Sequence, residues 1–548
     1  TIRTATTYIL ALFVLQEVLR VLLQIQPLRY LREHLVEVLL TVAVGLELAF
    51  GRQVVAWLGG WLSVVSPSTL ALLFLAVNQL TVVGLIALRG LRDLKLLHSR
   101  SLSPGLVFIL SFAALILVGT LLLKTPQATR AGIGWIDALF LSTSAVCVTG
   151  LTPVDISTTL TLHGQWVLLG LIQVGGLGVM TLTYFFAHVM AGGMSLRSRI
   201  GLQELLSEDN LGQIGTTLVL IIGFTVLLEA AGAILIHSTL QDAGMAQDQR
   251  LFFAIFHSIS AFCNAGFSTL GPGLADPRVA QHQGFLSTIM VLIVLGGLGF
   301  PVVRQFFTFV SEHIRFSLRL TRRVPARLSA NSRIVLLTTT ALLALGTLAI
   351  WLTEFVFARG SWTVSPSFTA LFHAVTARTA GFNITDPSAM VPATVAVMIL
   401  LMFIGGSPSS TAGGIKTSTL AVAVLSLRRV LLGRRDIEAF HRRFDDELAN
   451  RALSIALVAA GFLALVTTGL LILHPELPPF DLLFEATSAL GTVGLTRGVT
   501  PQLGPGGKVL LTFAMLVGRV GVLTFVASFL PRRSRPAFRY PETTIVLN

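Results

Sequence analysis

The sequence predicts an all-α polytopic membrane protein made of four internal repeats preceded by a helical extension, and three observations predict it. Mean hydropathy is +0.81, with 53% hydrophobic and only 12% charged residues, too apolar for a soluble domain. Apolar runs such as 106–123, 166–189 and 217–236 approach the ~20 residues that cross a hydrocarbon core. One short motif recurs four times at a nearly constant period. A membrane β-barrel would alternate apolar and polar residues, whereas these runs are continuously apolar.

The formal net charge of +13 gathers in short segments between the apolar runs. Arg89, Arg92, Lys95 and Arg100 form one; Arg315, Arg319, Arg322, Arg323 and Arg327 another; Arg428, Arg429, Arg434, Arg435, Arg442 and Arg443 a third; Arg532, Arg533, Arg535 and Arg539 a fourth. The positive-inside rule puts all four on the cytoplasmic side. The charge therefore reads as a topology signal that also suits anionic membrane lipid, and no nucleic-acid partner is expected. The two cysteines, Cys147 and Cys263, both lie inside apolar elements, so no disulfide framework is implied.

The repeated motif is an aromatic, a few small polar residues, and then a glycine followed by Leu or Phe. It reads FLSTSAVCVTGL from Phe140, FHSISAFCNAGF from Phe256, FHAVTARTAGF from Phe372 and FEATSALGTVGL from Phe484. Its glycines, Gly150, Gly266, Gly381 and Gly494, stand 116, 115 and 113 residues apart. Each copy lies between two long apolar runs, and its own run is too short to cross. It must enter and leave on one face, as a half-helix followed by an extended loop, a backbone tolerated at membrane depth only when buried in protein or lining a watery cavity. Four such loops around a pseudo-fourfold axis make one central pore. The organisation is thus four helix, pore-loop, helix repeats at 103–195, 212–312, 333–426 and 452–530, an N-terminal helical extension at 1–102 and a cytoplasmic tail at 531–548. Within the extension, residues 8–25 carry Glu17 and Arg20 at their middle and read as an interfacial amphipathic helix, and 34–50 with 69–88 as a two-helix hairpin. Ten crossings result.

A cation that enters such a pore must exchange its hydration for oxygen ligands, which rings of backbone carbonyls supply. Glycine permits the positive φ that lets successive carbonyls point one way, and the C-terminal end of each half-helix adds partial negative charge. Close packing of small residues between helices is the competing reading, but it explains one motif and not four at one period. The second crossing run of the third repeat is interrupted by Gly405, Gly406, Ser407, Pro408, Ser409, Ser410, Thr411, Ala412, Gly413 and Gly414, and must break into two helices joined by a loop. A kink serving packing alone is the alternative there. Arg519 lies mid-run in the last apolar stretch, where a charge marks a functional site, or else a buried charge paired with loop carbonyls or a carboxylate. GGLG at Gly175 and again at Gly296 reads as helix packing or a bend.

The quartet VCVTGL, CNAGF, RTAGF and GTVGL, with GGSPSSTAGGIKT from Gly405 and LVGRVG from Leu516, resembles the TrkH/KtrB superfamily of potassium uptake proteins from Pro104 to the C-terminus. The resemblance implies a multi-pass protein of the prokaryotic cytoplasmic membrane, a homodimer with one pore per subunit, potassium as permeant ion and sodium as a candidate activator. It assigns a potassium filter to Cys147, Val148, Thr149 and Gly150, to Cys263, Asn264, Ala265 and Gly266, to Arg378, Thr379, Ala380 and Gly381, and to Gly491, Thr492, Val493 and Gly494. It makes the loop 405–414 a gate beneath the filter, with Lys416 at its end and Arg519 as the arginine that raises a barrier to cations; Lys416 also reads simply as the helix restart. Ser409 and Ala412 replace glycines common in relatives. In the third copy the aromatic stands nine residues before the glycine, not ten, so that loop is expected to deviate, with Arg378 turned behind the filter. The resemblance also implies a cytoplasmic ring of nucleotide-binding regulatory subunits, TrkA/KtrA-like. This chain has no G-x-G-x-x-G in a strand-to-helix setting and no organic cofactor is expected on it.

A sodium-permeable or sodium-coupled transporter of the same fold is the alternative, disfavoured by glycine at all four filter positions. A membrane enzyme is the alternative of another class. Against it, the sequence has no H-E-x-x-H, no G-x-S-x-G and no clustered intramembrane carboxylates, and Glu485 stands alone as a structural residue. No helix carries arginine at every third position, as a voltage sensor requires.

Overall fold

The computed structural model describes residues 104–191, 214–319, 327–357 and 365–530. The expected interfacial helix, hairpin and tail lie outside the described residues. The first repeat contains α1 (Pro104–Leu123), α2 (Trp135–Val146) and α3 (Leu162–Ala191). The second contains α4 (Ile214–Thr239), α5 (Gln247–Phe262), α6 (Gln283–Leu298) and α7 (Phe300–Ser317). In the third, α8 (Ala330–Ile350) runs into a π-helical turn and is followed by α9 (Pro366–Thr376), α10 (Pro392–Phe403) and α11 (Thr417–Leu431). A small hairpin of β1 (Ile437–Ala439) and β2 (Arg442–Phe444) leads to the fourth repeat, α12 (Asp446–Leu473), α13 (Pro479–Gly491), α14 (Pro505–Val520) and α15 (Val522–Phe529).

Local sequence sets the helix starts. Proline at the first turn opens α9, α10, α13 and α14, where its missing N–H has no helical partner to lose. Ser329 caps α8 by accepting from Ser332 N, and Asp445 caps α12 by accepting from Glu447 N. Among the described residues four helices are each long and apolar enough to cross a membrane, at Gly105–Leu123, Leu220–Thr239, Ala330–Phe357 and Asp446–Leu473, each the first helix of a repeat.

The second helix of a repeat departs from the sequence expectation of one crossing run. Only α3 is continuous. The α6–α7 pair bends by 108° at Gly299 and the α14–α15 pair by 95° at Gly521, with φ of 76° and 91° at the two glycines. Such a φ is natural only for glycine, and Pro301 directly after the first bend starts a new helix rather than continuing the old. The GGLG at Gly296 therefore ends in a bend, whereas the one at Gly175 lies inside α3. The third repeat breaks at 405–414 as its composition dictates.

The short helices close the fold. Each packs on the two long helices of its own repeat and also on the outgoing helix of the repeat before it: α5 on α3, α9 on α6, α13 on α10 and α2 on α14. That last contact joins the fourth repeat to the first, so the chain forms a ring. The motif aromatics Phe140, Phe256, Phe372 and Phe484 are all fully buried where these helices meet.

Candidate functional site

The four motif loops meet at the centre of this ring. A Cβ on Gly150 would collide with the carbonyl oxygen of Ala265, one on Gly266 with that of Ala380, one on Gly381 with that of Val493, and one on Gly494 with that of Thr149. The contacts run from repeat to repeat and return to the start, and all four glycines have φ between 68° and 100°. Only a residue without Cβ fits a backbone approach this close.

Each loop is tied to its own helix in a repeated way. Thr149, Ala265 and Val493 donate their N–H to Ser144, Ser260 and Ser488 carbonyls at 2.7, 2.7 and 2.8 Å. The same serines act again through their hydroxyls: Ser144 and Ser488 accept from the N–H of Gly150 and Gly494, each at 3.0 Å, and Ser260 donates to Phe267 O at 2.9 Å. Thr376 takes this place in the third repeat, donating to Phe382 O at 2.6 Å. The missing residue of the third motif is absorbed in the turn between Thr376 and Gly381. The expected deviation is confined to that turn, because the glycine and the residue two before it keep the conformation of the other copies.

That second position was not foreseen. Val148, Asn264, Thr379 and Thr492 are left-handed, with φ of 55°, 59°, 68° and 49°. Three of the four are β-branched, types that resist this region, so the loops hold backbone strain of about 1–3 kcal/mol at each such residue. A second unforeseen set follows the motif aromatic. His257 pairs with Ser268 Oγ at 2.9 Å and His373 with Thr385 Oγ1 at 2.8 Å, while Glu485 accepts from Thr496 Oγ1 at 2.9 Å and from the hydroxyl of Thr500. A polar residue directly after Phe in three of the four copies was the available signal.

On one side of the ring the glycines, with Thr152, Asp155, Asn383 and Thr496, line a cavity of about 210 Å³. On the other side the loop 405–414 packs against the helix ends. Thr411 Oγ1 donates to Phe262 O at 3.3 Å, Ser407 N to Gly297 O at 2.9 Å and Ser407 Oγ to Leu298 O, so the loop seats in the break between α6 and α7. A Cβ on Gly413 would collide with Thr492 Oγ1. Phe403, Gly405 and Gly406 exchange main-chain bonds with Ile415 and Thr417, clasping the two ends of the loop together.

Three cations hold this loop. Arg519 donates to Thr411 O and, at 2.8 Å, to Gly175 O of α3; Lys416 Nζ donates to Ala412 O at 2.6 Å; Arg378 donates to Gly405 O at 3.2 Å. Arg519 is thus a buried charge paired with carbonyls, one of them in the loop itself, so pairing with the loop and a role at the loop go together. Lys416 is both the residue before α11 and a loop contact. Arg378, expected to turn behind the filter, is buried and reaches the loop. Cys147 and Cys263 are buried free thiols at the ends of α2 and α5, and Gln173 of α3 donates to Glu229 of α4 at 3.0 Å beside Cys263. Glu229 was missed because it lies singly in an apolar run.

A closed ring of four main-chain loops inside a bundle of apolar helices defines a polytopic membrane transport protein. The chain belongs to the TrkH family, described as cation transport proteins, whose model matches residues 100–535. It is 34% identical over 447 residues to Ktr system potassium uptake protein B of Bacillus subtilis strain 168, covering 80% of this chain and 96% of the relative. It is also 34% identical over 460 residues to potassium/sodium uptake protein NtpJ of Enterococcus hirae, covering 82% and 98%. The crystal structure of the potassium transporter TrkH from Vibrio parahaemolyticus matches with a TM-score of 0.61 at 20% identity, over 85% of this chain and 97% of that one, a likeness of fold. These relatives are transporters, not enzymes.

Proposed function

We propose that the protein takes up potassium across the cytoplasmic membrane, the ion exchanging its water for carbonyl oxygens of the four motif loops, with the loop 405–414 and Arg519 as the gate. The observation that carries this reading is the closed ring in which each motif glycine abuts the carbonyl of the residue before the next repeat's glycine. Four neighbouring carbonyls at one level around one axis are the arrangement that replaces a monovalent cation's hydration shell. The cavity beside the glycines is then the outer vestibule, and the arginine-rich segments face the cytoplasm. The loop occludes the inner half, and the Arg519 charge adds an electrostatic barrier there.

Relatives named as one component of a Ktr system support assembly with further subunits. We assign those to the cytoplasmic side as nucleotide-binding regulators, with the chain itself as a homodimer. The potassium/sodium name of the Enterococcus hirae relative favours a second reading, in which sodium permeates or activates. Rubidium uptake into a bacterium deficient in potassium transport tests both. Wild type is expected to restore uptake against excess sodium, Gly150→Ser to lose that preference, and Arg519→Ala to raise the rate. Uptake equally sensitive to sodium and potassium in the wild type would replace the first reading with the second.

A further inference from the structure

The three cations at the loop are not equivalent. Arg519 and Lys416 bond to its far half, at Thr411 and Ala412, and neither belongs to a motif loop. Arg378 belongs to one and bonds to the loop's root. Its place, three residues before the motif glycine, is filled by Cys147, Cys263 and Gly491 in the other copies. Only there does that position carry a long charged side chain, and only the third repeat owns the occluding loop.

The root is also where the two ends of the loop are clasped together. Gly405 N donates to Ile415 O at 2.9 Å while Gly405 O accepts from the Arg378 guanidinium at 3.2 Å, so the first residue of the loop is held from both sides. Arg378 is 8% exposed, and its Nε has no partner among the described residues. A buried guanidinium left partly unsatisfied is costly and is poorly explained as a stabilising brace alone. A tie to one carbonyl that breaks when the loop leaves accounts for it.

We propose that Arg378 is a positioning residue that couples the third motif strand to the root of the loop 405–414, so that it sets both how often the pathway opens and how well the strand discriminates between ions. The inference rests on the reading of that loop as the gate. Loss of the tie frees the loop and loosens the strand together.

The test is the initial rate of rubidium uptake, normalised to protein in the membrane, with sodium as competitor, for wild type, Arg378→Lys and Arg378→Gln, each in the full chain and in a chain lacking residues 407–413. In the full chain Arg378→Gln is expected to raise the maximal rate about two- to tenfold, the range given by one lost hydrogen bond of ordinary net strength, and to lower the preference for rubidium over sodium. Arg378→Lys, with a single-point donor in place of a planar fork, is expected to fall between the two, and it decides the matter should Arg378→Gln fail to insert. In the loop-deleted chain the rate effect is expected to vanish while the loss of preference persists. A wild-type rate in an inserted variant, or the same fold-rise with and without the loop, overturns the coupling. Loop deletion that fails to raise the rate of the otherwise unaltered chain overturns the gate reading itself.

Discussion

At each of the four motif glycines a Cβ meets backbone that cannot move aside. Gly266 has φ of 68°, and a methyl group there would strike Ala380 O and the backbone of Gly381. Strain and collision together make Gly266→Ala expected to cut rubidium uptake by about tenfold or more, read as rate per inserted protein, since about 1–3 kcal/mol of backbone strain falls on the loops proposed as the filter. These glycines were legible in the sequence because repetition singles them out from packing glycines. Val148, Thr379 and Thr492 were not, because a β-branched residue is the last type from which a left-handed conformation would be read. Glu229 was hidden for a different reason, as a single acid whose partners, Gln173 and Cys263, come from other elements. Glu229→Leu takes the acceptor from Gln173 Nε2 and is expected to cost about 1 kcal/mol, the scale of one interhelical hydrogen bond in a membrane protein, seen as a lower thermal unfolding temperature in detergent.

At the scale of elements, the first helix of each repeat was readable from apolar length alone, and the break at 405–414 from a local run of Gly, Ser and Pro. The bends at Gly299 and Gly521 were not, because composition records that a run is apolar but not that it turns. The two bends differ in what surrounds them. A Cβ at Gly299 would lie 2.8 Å from Ser409 O of the loop, whereas one at Gly521 would meet only Thr524 Oγ1 at 3.8 Å. Gly521→Ala therefore bears the backbone strain alone, about 1–3 kcal/mol, and Gly299→Ala bears the collision as well. Thermal unfolding is expected to rank Gly299→Ala as the more destabilised, and uptake to change in Gly299→Ala first, because its collision pushes on the loop. The reverse order would mean that the loop does not rest on the α6–α7 break.

The whole molecule depends on four repeats closing into one ring, and polar contacts mark its seams. Gln173 to Glu229 joins the first repeat to the second. Between the third and fourth, Arg497 pairs with Asp481 at 2.6 Å and donates to Pro387 O at 2.6 Å and Ser388 O at 3.3 Å. Lys508 pairs with Asp137 at 2.6 Å between the fourth and first. Arg497 stands outside the four basic segments that mark the topology, so the charge pattern did not single it out. Arg497→Gln removes donors from two carbonyls and a carboxylate, and is expected to lower stability by about 1–3 kcal/mol, again by thermal unfolding, with the outer end of the fourth loop released from the third repeat. The repeat period, and that its four loops belong together, were readable from the chain. Which repeats clamp to which was not, because these pairs lie more than a hundred residues apart or cross from one repeat to another.

The central claim is that the ring of glycines and carbonyls selects potassium. The most direct measurement is rubidium influx into liposomes containing the purified protein, competed by potassium or by the same concentration of sodium, for wild type and for Gly150→Ser. Potassium is expected to suppress influx in the wild type where sodium leaves it unchanged, and Gly150→Ser to remove the difference. Equal suppression by the two ions in the wild type, or a preference that survives Gly150→Ser, would contradict that claim.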